Sequence, residues 1–202
     1  MDIDPSEVIE RAARAQEIQD AKAKRLNAVV AVTVAIIATF MGICKVKDDN
    51  IVQAMQQAQA DKIDHWSYFQ AKNIRADLAA ATTVQLDLAK EGAAPGAAAK
   101  YDKAIADYRE RHDREVRERD ALKLQAEHDQ QTYDRLNYRD DQFDLSDALL
   151  AIAIALLAVT ALTGFWALYW VGLLPIGCGV LMGLAGLFEL PIHPDTLVRL
   201  LS

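Results

Sequence analysis

Cysteine is nearly absent from this chain of 202 residues: only Cys44 and Cys178 occur, in neither a CxxC pair nor histidine spacing. That excludes a disulfide framework and a zinc-finger signature, and leaves both thiols as small buried apolar residues. Basic clusters are also missing. The net charge is -7 and the Lys and Arg residues are interleaved with acids, so no basic face for nucleic acid is expected. There is no Gly-rich phosphate loop, nucleophile elbow or pocket-forming pair of carboxylates, and a non-enzymatic protein without cofactor or metal is expected. A charged segment precedes the first apolar run and no small-residue cleavage site follows it. That run is therefore expected to stay as an anchor rather than act as a signal peptide.

A mean hydropathy of +0.00 conceals a sharp partition. Apolar residues are massed in Leu26–Ile43 and Leu145–Leu190, with charge almost everywhere else. The first run is about the minimum length that crosses a ~30 Å hydrocarbon core at ~1.5 Å per residue. Gly164-Phe165-Trp166 divides the second into two segments joined too closely for anything but an antiparallel pair; a single re-entrant helix pair is the alternative. Tyr169 and Trp170 open the last segment as interfacial aromatics. Ser146 and Asp147 fall in the first turn of the middle segment, where a carboxylate suits the helix dipole, and Glu189 and His193 stand at the end of the last. Otherwise the three segments lack ionisable side chains, which argues against a proton-coupled transporter.

Small residues recur at helical spacing. Ala28, Ala31, Ala35, Ala38 and Gly42 form one stripe, and Ala148, Ala151, Ala155 and Ala158 another. Gly179, Gly183 and Gly186 mark the last segment. Such stripes let backbones approach closely in lipid. The first two segments are expected to pack through their stripes, and Ala31, Ala35, Ala151, Ala155, Gly179 and Gly183 are candidate self-association residues.

Between Cys44 and Asp144, proline and glycine occur only in the cluster at residues 91–96. A stripe of Val52, Met55, Ile63, Trp66, Ile74, Leu78, Ala81, Val84 and Leu88 lies on one side of that turn. Tyr101, Ile105, Tyr108, His112, Val116, Leu122, Ala126, Tyr133 and Leu136 lie on the other. Two matched arms with one apolar face each predict an antiparallel coiled-coil hairpin, with residues i and j pairing about a centre near residue 94. The run from Arg109 to Asp120 predicts the i,i+4 pairs Arg111–Glu115, Asp113–Arg117, Arg114–Glu118 and Glu115–Arg119 on a solvated face. Trp66 belongs to the stripe, whereas Tyr68 points away from it and Phe69 lies on its flank, so these aromatics mark a second contact surface. Asp61 and His65 could share a metal only with further ligands, and none is specified.

The fold class expected is therefore all-α, an integral membrane protein. It comprises a polar helical segment (1–25), transmembrane helices at 26–43, 145–163 and 167–190, an extramembrane hairpin at 44–144 and a tail at 191–202.

The segment from Asp64 to Arg75, DHWSYFQAKNIR, resembles the D-E-W-A-Y-Y-Q-A-K-x-I-K signature of a bacterial membrane family, domain of unknown function 4337. Phe143-Asp144-Leu145 and Ala167–Leu173 are similar to its C-terminal half. His65 replaces a frequent acid, and this chain lacks the family's basic residues between the last two spans. The Lys/Arg count is tied, five against five, across the first span. The resemblance implies a cytoplasmic N-terminus and hence a periplasmic hairpin, in a multi-pass protein of the bacterial inner membrane. It implies no activity. The residues suggest a membrane scaffold or assembly protein whose partners are itself, the lipid bilayer and a further membrane complex. The alternatives are a homo-oligomeric pore, with Thr33 and Thr39 along its path, or an accessory subunit of a larger complex.

Overall fold

A computed structural model describes residues 5–94 and 96–192. It contains three helices: α1 (Pro5–Glu91), α2 (Ala98–Thr163) and α3 (Trp166–Phe188). No strand occurs among the described residues. All three contain segments long and apolar enough to cross a membrane. The polar N-terminal segment, first apolar run and first hairpin arm, expected as separate elements, are one helix, because Gly42 is the only glycine between Pro5 and Gly92 and no proline intervenes. Residues 193–202 of the expected tail, with His193, lie outside the described residues.

The chain divides into two compact units, residues 1–52 with 138–202, and residues 53–137. In the first, the apolar part of α1 packs against the end of α2 and against α3. Leu26, Val30, Ile37, Leu150 and Leu157 form its buried core, with Phe40, Ile154, Tyr169 and Val180 against it. α2 ends in an αL motif: Gly164 takes φ +68, which costs glycine nothing, and its N–H donates to the Thr160 carbonyl at 2.9 Å. Phe165 alone separates Gly164 from α3, which fixes the two helices as an antiparallel pair.

The packing of this unit departs from the alanine-stripe expectation. Ala28, Ala31, Ala35, Ala38 and Gly42 are all exposed, as are Ala151, Ala155 and Ala158. The inward face of α1 carries Leu26, Val30, Ile37 and Cys44 instead, because large apolar side chains fill space between helices that alanine leaves empty. Only the glycines of α3 act as a close seam. A β-carbon on Gly179 would lie 2.8 Å from Leu150 Cγ, one on Gly183 2.7 Å from Phe40 Cε1, and one on Gly186 2.8 Å from Phe143 Cζ. Cys44 is buried as expected, but Cys178 is exposed.

The second unit is an antiparallel helical pair. The cross-arm side-chain pairs Lys62–Gln130, Asn73–Arg119 and Lys90–Asp102 are each equidistant from Gly96. The offset from the expected centre near residue 94 follows from Cβ geometry: side chains lean toward their own helix N-terminus, away from the turn on α1 and toward it on α2. On α2 the expected stripe faces the partner arm, and Ile105 and Ala126 are fully buried. On α1 it does not. Met55, Ala58, Ala76, Ala79 and Thr83 form the inner face, while Ile63, Ile74, Leu78, Val84 and Leu88 are each more than half exposed.

Gly186→Ala should destabilise the fold by about 1–3 kcal/mol, because the added methyl must displace the buried Phe143 ring. Gly177, which has open space around its β-position, is the control, and Gly177→Ala should be neutral or slightly stabilising. Thermal unfolding of detergent-solubilised protein followed by circular dichroism distinguishes them. Equal midpoints for both variants would contradict the glycine seam.

Candidate functional site

Two features stand out, one in each unit. In the first unit a polar layer adjoins the apolar segments. Arg139 of α2, itself almost buried, donates from Nε and Nη2 to the Gly186 carbonyl at 3.3 and 3.0 Å, and its Nη1 lies 2.7 Å from Glu189 Oε1. A guanidinium at a helix C-terminus satisfies an orphan carbonyl and complements the dipole. Glu189 occupies the left-handed region (φ 57), which is unusual for a residue with a β-carbon; its ion pair with Arg139 helps to hold it there. One turn along α2, Gln142 Nε2 donates to the Leu190 and Ile192 carbonyls at 2.9 and 2.7 Å. Two side chains of α2 thus fasten the segment that leaves α3.

Beside them lies an acidic group. Lys45 Nζ lies 2.7 Å from Asp48 Oδ2 and 3.4 Å from Asp49 Oδ1, and the Asp48 contact holds the ammonium protonated. Asp48 is buried, and its second oxygen has no donor among the ionised groups around it. Burial, then a hydrogen bond to Asp48, then the charges of Asp144, Asp48 and Asp141, push the Asp140 carboxyl up to about 7. A proton on Asp140 would supply Asp48 with the donor it lacks. Asp144 is also raised, by burial first and then by Asp48, with Lys45 opposing. The i,i+3 spacing of Lys45 and Asp48 and the i,i+4 spacing of Asp140 and Asp144 were visible in the sequence, but their convergence from two helices was not.

In the second unit the aromatic segment separates. Tyr68 is 61% exposed. Phe69 is half-buried, meeting the half-buried Trp66 edge-on with centroids 5.2 Å apart. Phe69 thus packs on its own helix neighbour, and Tyr68 is the more exposed of the two. His65 Nδ1 lies 2.7 Å from Asp129 Oδ2 on the other arm, whereas Asp61 accepts from Gln57. Among the described residues no three His, Cys, Asp or Glu side chains are placed to share an ion.

The charge run is also rewired. Glu115 and Glu118 both pair with Lys72 across the seam, Glu115 at 3.0 Å. Arg119 reaches Asn73 and Asp120, and Asp113 meets His112. None of the four expected i,i+4 pairs forms among the described residues; Lys72, facing the run from α1, takes Glu115 and Glu118, the acceptors of three of them.

The first apolar segment presents an outward groove of about 460 Å³, lined by Val32, Ala35, Ile36, Thr39, Phe40 and Ile43. Ala31 and Ala35 lie on this exposed side, whereas Gly179 and Gly183 are buried inside the unit. Of the two hydroxyls proposed for a pore lining, Thr33 Oγ1 lies 3.2 Å from the Tyr169 hydroxyl within the unit, and Thr39 is bonded to the Ala35 carbonyl.

The family described as domain of unknown function 4337 matches residues 26–189. No curated protein and no solved structure is similar to the chain.

The acidic layer sets a pH dependence. With its carboxyl raised, Asp140 keeps a proton in the folded chain that an unfolded aspartate releases near pH ~3.9. The stability tied to that proton is complete below the unfolded value and is lost as pH rises through about 7. The thermal midpoint should fall by a few degrees between about pH 5.5 and 8. Asp140→Asn keeps a donor toward Asp48 without the titration, and should flatten this decline and raise the midpoint at the alkaline end. An Asp140→Asn profile parallel to the wild type would refute the assignment.

Proposed function

The chain belongs to the domain of unknown function 4337 family, and from that premise we propose that it is a non-enzymatic membrane scaffold that self-associates and presents its helical hairpin to partners. The three long apolar helices would cross the bilayer, with lipid against the outward side chains. The most apolar window of the first is only 17% buried within the chain, so most of its surface needs lipid or a second copy around it.

The observation that carries self-association is the outer face of the first arm. Ile63, Ile74, Leu78, Val84 and Leu88 are each more than half exposed and fall within one sector of the helix. Each leaves on the order of 100 Å² of apolar surface, worth ~2–3 kcal/mol if fully covered. Together they offer on the order of 500 Å² per copy, and Ile36 and Val32 on the exposed side of the first apolar segment form a separate apolar face. A standard interface takes about 800 Å² per partner. A second copy of this chain accounts for both faces, since each contains apolar side chains spaced to pack against another helix. Ala31 and Ala35, exposed beside the groove, would allow close approach of the apolar helices; Ala151 and Ala155 offer a second small-residue face on α2. The hairpin would act as a coiled coil whose inner seam closes within the chain and whose outer stripe closes between chains. In the cell the protein would sit in the bacterial inner membrane with the hairpin in the periplasm, available to a further membrane complex; the apolar length of its three helices supports the membrane part of this reading.

Native mass in detergent or nanodiscs tests the reading. The wild type should be a discrete homo-oligomer. Ile74→Gln combined with Leu78→Gln and Leu88→Gln should lower the mass while helix content remains, and Ala35→Leu should weaken assembly on its own. A monomeric wild type, or an unchanged mass in both variants, would overturn the proposal.

A further inference from the structure

We propose that the cleft between the hairpin arms is a binding site for a phosphate-bearing ligand. The cleft has a volume of about 460 Å³, within the range of small-molecule sites. Arg75 of α1 and Arg111 and Arg114 of α2 line it, with Tyr108 and Leu78 as the aromatic and apolar walls. Glu115 is the one acidic residue in its lining, and Lys72 pairs with that carboxylate at 3.0 Å. Three guanidiniums thus share one cavity in a chain of net charge -7.

The rewiring of the charge run explains why Arg111 and Arg114 lack their glutamate partners. On an isolated helix Arg111 would pair with Glu115 and Arg114 with Glu118. Lys72 takes both glutamates across the seam. Among the described residues, no side-chain hydrogen bond or ion pair is formed by Arg75, Arg111 or Arg114. Glu118 keeps only a longer-range attraction to Arg114. Arg111 lies over the Tyr108 ring, 5.3 Å from its centroid. That stacking steadies the guanidinium plane and leaves its N–H edge available.

Three arginines against one carboxylate, itself held by Lys72, leave the cleft with an excess of positive charge that an entering anion relieves. Arginines lining one cleft from two helices suit a group with several charged oxygens better than a single carboxylate, because each guanidinium fork can bind two oxygens of a phosphate. One chain supplies every residue of the lining; of these Leu78 also belongs to the outer stripe proposed for self-association, and the arginine variants leave it unchanged. The phosphate could be carried by a soluble molecule or by a lipid headgroup; the chemistry recognised is the same.

The test is calorimetry with pyrophosphate on the full chain in phosphatidylcholine nanodiscs at low salt. Saturable binding is expected, and Arg75→Gln, Arg111→Gln and Arg114→Gln should each weaken it about tenfold or more. Arg117, an exposed arginine of the same run outside the cleft lining, is the control for general electrostatics, and Arg117→Gln should retain wild-type affinity. Native mass recorded on the same variants should not change. Repeating the titration in discs containing phosphatidic acid separates the sources: a lowered wild-type affinity identifies a lipid headgroup, and an unchanged one a soluble phosphate. Absence of saturable binding would overturn the site. So would an Arg117→Gln effect as large as that of Arg111→Gln, or a change of native mass in the cleft variants without any effect on pyrophosphate.

Discussion

The close approach of α3 to α2 is the constraint on which the first unit depends. Gly179, Gly183 and Gly186 offer no side chains, so Leu150, Phe40 and Phe143 occupy the space where β-carbons would stand. That contact brings the C-terminus of α3 within reach of Arg139 and Gln142, and lets α2 satisfy the carbonyls that α3 leaves open. A bulkier seam would move those carbonyls out of hydrogen-bond range, and Arg139 would lose both its Gly186 acceptor and its ion pair with Glu189. Close packing and polar capping are therefore one device, not two.

In the hairpin the corresponding constraint is the small size of the inner face of α1. By the register about Gly96, Ala58 and Ala76 stand opposite the stretches of α2 that contain the larger Tyr133 and Val116. Small opposite large packs well across an antiparallel pair. The consequence is that the bulky residues of α1 are displaced to the outside, where they gain nothing from the intramolecular fold. A two-helix pair buries little, and an outer apolar stripe supplies a second seam without a third helix in the same chain. The lysine at position 72 has a related effect: by bridging the arms through two glutamates, it leaves arginines exposed beside that stripe.

Helix content, the three apolar segments, the turn at residues 91–96 and the inner face of α2 were legible from periodicity and from the placement of glycine and proline, because these are local properties of the backbone. The stripe of α1 was misassigned for a physical reason. Periodicity identifies a face that avoids water, but not which neighbour covers it, and an alanine face is a weak signal beside one of isoleucine and leucine. The alanine stripes of the apolar segments do not pair with each other inside the chain for a related reason: in an apolar helix every side is greasy, so small residues do not by themselves indicate the inward side.

The amino-acid sequence by itself determined which residues form helices, where those helices end and which of them are apolar enough to enter a membrane, since turn propensity and hydropathy act over a few residues. Tertiary structure alone decided that Asp48 and Asp140 face each other, that Arg139 caps a helix far away in sequence, and that Lys72 draws Glu115 and Glu118 away from their neighbouring arginines. Each of these depends on rotation and register between helices. Those are set by how side chains of different volume interlock, and a difference of one residue turns a helix face by about 100°, enough to exchange an ion pair within a helix for one across the seam.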